Sequence, residues 1–177
     1  DTDIYIFSSV EEDEALDGRF SDNIIRPDID DNDIFNDPLH PSDFQIDSIV
    51  LFDDCAKIKN AKVRVALYML QQNLLETARH YGITVIITSH MLSDYARTRT
   101  VLNESTSITV FPAFAGTSKH IRYYLDKTMG FDKKEIKKFL ALSKASRWVT
   151  LNKGEGVYVM SSKECYIYDD PWFSTQE

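Results

Sequence analysis

Asp53 and Asp54 stand side by side where the apolar run Ile49-Val50-Leu51-Phe52 ends. An unbroken apolar run of this length fits a parallel strand buried on both faces. Ligands of α/β sheets bind at the C-terminal ends of such strands. There one acid can hold Mg²⁺, usually through water because that ion dehydrates reluctantly. Its neighbour can orient or deprotonate a water. A second apolar run, Thr84-Val85-Ile86-Ile87-Thr88, closes on Ser89-His90. A donor there could touch a γ-phosphate or the attacking water. Arg79, just ahead of that run, could spread transition-state charge on a neighbouring subunit's nucleotide, with Arg97 and Arg99 as competing candidates. Metal partner, water positioner, phosphate sensor and arginine finger are the parts that nucleoside triphosphate hydrolysis uses. Plainer readings stand beside each: a strand ending in a polar loop, a structurally bonded histidine, and a solvated arginine favoured by a helix dipole.

The elements that must position these residues are legible. Residues 4–8 read as a short strand, and 48–53 as a buried one. Val63, Ala66, Leu67, Leu70 and Leu74 share one face of a helix near 61–81, which Gly82 ends. Thr84–Thr88 is then a second buried strand, so strand, helix and strand form a βαβ unit, normally right-handed and parallel. Residues 93–103 are polar and helical or looped, and 106–111 form another strand. Helices follow over 118–129 and from Asp132 to about Leu142, the latter opened by a variant capping box, Asp132-x-x-Glu135. The sequence then turns to β over 148–152, 157–160 and 165–168. The acidic, turn-rich stretch 10–47 contains Pro27, Pro38 and Pro41 and reads as a loop excursion with little regular structure. The expected organisation is one domain over 1–169 with a tail at 170–177.

The composition sets limits. A chain of 177 residues with 43% hydrophobic and 12% aromatic residues can bury a core. No apolar run approaches the length of a membrane span. Cys55 and Cys165 form no metal or redox spacing, so a reducing compartment is the default. Residues 1–55 hold 17 Asp and Glu against Arg19 and Arg26 (net −15), while 56–177 hold 18 Lys and Arg against 11 acids (net +7). Such asymmetry suits handling a polyanion on one side, or is simply solvated surface. Asp28-Ile29-Asp30-Asp31-Asn32-Asp33 invites a calcium-loop reading. That reading fails, because Asp33 stands where the turn needs Gly and Leu39 where a bidentate Glu is required.

None of the six glycines belongs to a G-x-x-x-x-G-K-[ST] loop. If Asp53-Asp54 is a Walker B element, the phosphate-cradling Walker A loop that should precede it is missing. The expectation is therefore the rear part of a longer protein, truncated at its N-terminus.

Leu51-Phe52-Asp53-Asp54, the segment from Ala78-Arg79 to Ser89-His90, and Arg99-Thr100-Val101-Leu102-Asn103-Glu104 together resemble the FtsK–HerA superfamily of DNA-pumping ATPases. The likeness is greatest to the poxvirus-type genome-packaging ATPases of large DNA viruses and virophages. Phe111-Pro112, Tyr124-Leu125, Gly130, Ser146-Arg147-Trp148-Val149 and the closing strands continue it, so it covers roughly 3–168. It implies a RecA-like P-loop NTPase fold: a central, mostly parallel sheet flanked by helices, with C-terminal antiparallel strands. It implies an ATP- and Mg²⁺-dependent, homo-oligomeric ring that threads double-stranded viral DNA into a preformed capsid or portal vertex. The setting would be the virion or a cytoplasmic virus factory. It assigns Asp53 to the metal, Asp54 to the water, Ser89 and His90 to the nucleotide, and Arg79 to a finger in trans. Asp54 replaces the Glu of many relatives, and His90 the Gln of cellular ones.

Lys119, Arg122, Lys134 and Lys138, with His120 and the remaining lysines of 132–142, could contact DNA phosphates, or they could form ordinary solvated helix faces. Arg147-Trp148 could stack on a base or anchor a sheet edge. Two further readings remain. One is a non-hydrolysing structural or interaction module that keeps the P-loop fold. The other is a metal-dependent nuclease using Asp53 and Asp54, although two-metal chemistry usually wants more carboxylates.

Overall fold

A computed structural model describes residues 2–14, 17–18, 21–29, 33–89, 95–111, 117–154 and 158–167. The chain is α/β, with one parallel and one antiparallel sheet. It divides into two compact units, Asp1–Met91 and Leu92–Glu177.

In the first unit, β1 (Ile4–Ser8) is followed by β2 (Ile24–Ile25), the one-turn helix α1 (Asp33–Asn36), β3 (Ile49–Asp53), α2 (Ala61–Thr77) and β4 (Thr84–Ile87). All strand pairings are parallel, in the order β2-β1-β3-β4. β3 is therefore central, with β1 and β4 on either side. Its alternate residues Val50 and Phe52 join Phe7 of β1 beneath Val63, Leu67, Leu70 and Leu74 of α2. The Phe7 and Phe52 rings stack at 5.2 Å. Helix α2 starts at Asn60, whose side chain accepts the Lys62 N–H, and runs on into a 3₁₀ turn, Ala78–Tyr81. Gly82 then takes a left-handed φ of 67°. A Cβ there would press on Asp47 Oδ1, the movable end of an exposed side chain, so it is the left-handed backbone that calls for glycine.

Regular structure within 10–47 is sparse among the described residues: Ile24 and Ile25 add a two-residue strand beside β1, and short helical turns form at Ser21–Asn23, Asp33–Asn36 and Pro41–Asp43. Two apolar residues are enough to pair but too few to show periodicity. One expectation is corrected: β4 is not buried on both faces. It has a hydrogen-bonded neighbour on one side only among the described residues, and Ile86 is 45% exposed. An apolar run records what a strand can bury, not whether a cover is present.

In the second unit, α3 (Tyr95–Glu104) leads to β5 (Ser107–Val110), then α4 (Thr117–Lys127), α5 (Lys133–Ala145), β6 (Val149–Asn152), β7 (Tyr158–Ser161) and β8 (Cys165–Ile167). The strands form an antiparallel sheet in the order β5-β6-β7-β8. Ile121 and Leu125 of α4 and Ile136 and Phe139 of α5 pack with Val149, Leu151 and Val159 of the sheet. The capping box that opens α5 is complete: Glu135 N–H donates to Asp132 Oδ1 at 2.8 Å, and Asp132 N–H to Glu135 Oε2 at 2.6 Å.

Candidate functional site

A parallel sheet brings its strand ends to one edge, so the first polar residue after each apolar run arrives at the same level. Ser8 pairs in register with Asp53, and Phe52 with Ile87, which sets Thr88 next to Asp53 on the other side. The side chains meet. Thr88 Oγ1 donates to Asp53 Oδ1 at 2.6 Å, and Ser8 Oγ donates to Asp53 Oδ2 at 3.3 Å. Thr88 N–H is fixed by the Phe52 carbonyl at 2.9 Å. The carboxylate of the central strand is thus fastened by hydroxyls from both neighbours. The Thr88 bond is short and charge-assisted and sets the orientation of the side chain, while the Ser8 bond is longer and adds less.

Asp54 is positioned differently. Its backbone is left-handed (φ 46°, ψ 30°), and its N–H donates to Thr88 Oγ1 at 3.2 Å. The Thr88 hydroxyl therefore bridges the two acids, accepting from one and donating to the other. Left-handed backbone is uncommon outside glycine, and Asp and Asn are among the residues that tolerate it. The Asp54 carboxylate meets Lys57 Nζ at 2.7 Å, across a 3₁₀ turn spanning Cys55–Lys57.

Cys55 completes the local layer. Its thiol donates to the Phe7 carbonyl at 3.3 Å. Burial, followed by the charges of Asp53 and Asp54, pushes it up to about 12. It therefore stays a protonated donor and supplies no thiolate nucleophile at neutral pH.

The oxygen-only donor set of Asp53, Asp54, Ser8 and Thr88 suits a hard cation such as Mg²⁺. Among the described residues, no three His, Cys, Asp or Glu side chains converge on a point that could hold a metal. Mg²⁺ commonly takes one or two carboxylates and completes its shell with water and substrate phosphates, so these residues fit a substrate-shared ion. Two-metal nuclease chemistry would want more carboxylates than the described residues bring together here.

The other sequence candidates fall as follows. Ser89 is exposed directly after Thr88, and His90 lies outside the described residues. Arg79 is exposed on the 3₁₀ turn Ala78–Tyr81 in the first unit. Arg99 is exposed on α3 in the second unit, and the Arg97 side chain is not among those described. Lys119 and Arg122 are exposed on α4, Lys134 is exposed on α5, and Lys138 on the same helix is half-buried. Trp148 is half-buried at the start of β6, where its carbonyl accepts from Ser146 Oγ at 2.7 Å.

Sequence reasoning passed over Ser8, Thr88 and Lys57. The first two carried a usable signal: each hydroxyl is the first polar residue after an apolar run in a strand adjoining β3. Lys57 carried none, because its contact depends on the left-handed turn at Asp54.

No protein-family model matches the chain, and no solved structure matches it. Among curated proteins it is similar to the uncharacterized protein V3 of Sputnik virophage, with 39% identity over 115 residues. The matched region is 64% of this chain and 45% of that protein, so the chain spans less than half the length of its relative. No helix among the described residues is long and apolar enough to cross a membrane.

Proposed function

We propose that this chain carries the metal-holding and water-orienting part of an ATP-driven motor of the FtsK–HerA type, which packages double-stranded viral DNA into a preformed capsid. The observation that carries the reading is the Asp53 carboxylate, fastened at the end of the central parallel strand by hydroxyls from both adjoining strands. A magnesium site shared with a nucleotide needs a carboxylate that does not reorient when the ion arrives, because fixed dipoles cost no reorganisation during reaction. Mg²⁺, when bound, would neutralise charge developing on the phosphates. In this reading Asp53 holds the ion through water, Asp54 orients the attacking water, and Ser89 and His90 face the γ-phosphate. Arg79, on an exposed turn, reaches a neighbouring subunit in a homo-oligomeric ring. No G-x-x-x-x-G-K-[ST] motif occurs within residues 1–177, and among the described residues β4 has a hydrogen-bonded neighbour on one side only, with Ile86 exposed. Lys119, Arg122, Lys134 and Lys138 are the proposed DNA contacts. The virophage relative supports a viral setting, in the virion or a virus factory.

A second reading, a fold-retaining module that does not hydrolyse ATP, is favoured by one observation: Lys57 occupies the carboxylate that would orient water. The test is ATP turnover by the full-length protein with and without Mg²⁺ and DNA. Turnover should require Mg²⁺ and fall on the order of 10³-fold in Asp53→Ala, the scale on which lost transition-state electrostatics register. Absence of turnover in the unaltered protein would favour the second reading. Undiminished turnover in Asp53→Ala would remove Asp53 from the site.

A further inference from the structure

Helix α2 has two apolar faces. One, with Val63, Ala66, Leu67, Leu70 and Leu74, is buried in the core of the first unit. The other carries Val65 and Met69, which are 53% and 66% exposed. At about 100° per residue these two project nearly opposite the packed face, one turn apart. The outward side of a helix that needs only to be solvated is normally polar throughout, so a paired valine and methionine there call for a cover.

Charges flank this pair evenly. Lys62 and Glu76 are both exposed and lie on the same side of the helix, seven residues before Met69 and seven after it. Each therefore stands about 10 Å along the axis from Met69, at about 1.5 Å per residue. The strip reads cation, valine, methionine, anion, and it is its own complement when reversed. A second α2 laid antiparallel and crossing at Met69 sets Val65 and Met69 against their counterparts. The same crossing brings each Lys62 to the Glu76 of the other copy. Parallel helices would instead set lysine on lysine and glutamate on glutamate. Lys62 also has an interaction within its own chain, and an ammonium with three donors can serve both.

We propose that the outer face of α2 is a twofold docking surface for a second copy of this chain, with the two helices antiparallel. Such a contact is isologous and closes at two copies, unlike the head-to-tail contacts that build a ring. It does not rest on the hydrolytic reading of the acid pair. Val65 and Met69 from each copy, inside a rim of two ion pairs, make a small interface, so the dimer forms and dissociates with concentration.

The experiment is sedimentation equilibrium over a wide range of concentration, at low and high salt. It compares the unaltered chain with Met69→Lys, Lys62→Glu, Glu76→Lys and the double reversal Lys62→Glu with Glu76→Lys. These side chains face solvent, so the variants should keep the fold, which circular dichroism checks. The unaltered chain should pass from monomer to dimer. Met69→Lys removes an apolar side chain from each copy and brings two charges together at the crossing, so it should weaken association by at least about tenfold. Each single reversal sets like charges opposite one another and should weaken it severalfold at low salt and less at high salt. The double reversal remakes both ion pairs and should restore association to near that of the unaltered chain. An unaltered chain that stays monomeric, a Met69→Lys chain that associates as before, or a double reversal no better than either single one overturns the inference. Each of these results leaves the ATPase reading standing.

Discussion

In the first unit the strands run parallel and their C-terminal ends collect at one edge; in the second they run antiparallel and their ends alternate. The same kinds of side chain consequently do different things. Ser8, Asp53 and Thr88 converge at the parallel edge, where each Asp53 carboxylate oxygen accepts from one hydroxyl. In the antiparallel sheet, hydroxyls and amides pair with each other across strands: Thr109 meets Thr150 at 2.7 Å, and Asn152 donates to Ser107 at 2.8 Å. Lys153 reaches the Leu102 and Asn103 carbonyls at the end of α3, where a cation complements the helix terminus. Burial holds its ammonium below the usual lysine range, with Glu104 opposing that fall. These polar groups of the second unit join its own strands and helix end, while Asp53 and Asp54 of the first lie at a sheet edge. Net basic charge in the rear of the chain does not by itself locate the chemistry.

The largest expected effect would test whether the two cores are separate. Phe139 is almost fully buried among second-unit residues, and Phe52 among first-unit residues. Phe139→Ala should cost about 3–5 kcal/mol. Hydrogen exchange should show lost protection over 92–177 while the β3 amides stay protected, and Phe52→Ala should do the reverse. Equal loss in both units from either change would dissolve the division.

A smaller effect is expected at Gly82, the turn that feeds β4. Gly82→Ala forces a Cβ into left-handed backbone and against Asp47. It should destabilise by about 1–3 kcal/mol, read as a lower urea midpoint with unchanged m value. Gly130 has a similar φ of 72°, but a Cβ added there would meet nothing within 4 Å, so Gly130→Ala should cost less. Equal costs would mean that the Asp47 contact carries no weight.

Much of this was legible in advance, for physical reasons that differ by element. The α2 face, the Gly82 stop and the Asp132–Glu135 capping box were readable because each depends on spacing within one segment. The parallel β3–α2–β4 unit was readable from the spacing of strand, helix and strand. The β2 strand was hidden because Ile24-Ile25 is too short to show a period. The exposure of Ile86 was hidden because burial depends on what covers a strand, not on the strand. The hydroxyl clamp on Asp53 was hidden because it joins residues 45 and 35 positions away in sequence, although the register of three apolar runs contained it.

The central claim is that Asp53 acts because its neighbours hold it still for a metal-bound nucleotide. The most direct measurement is the Mg²⁺ dependence of ATP turnover in full-length Thr88→Val and Thr88→Ser proteins. Losing one hydrogen bond to a charged group is worth about 1.5–3 kcal/mol. Thr88→Val should therefore need at least about tenfold more Mg²⁺ for half-maximal turnover, and Thr88→Ser, which keeps the hydroxyl, should recover most of that loss. A valine protein with the Mg²⁺ dependence of the unaltered one, or a serine protein no better than valine, would contradict the account.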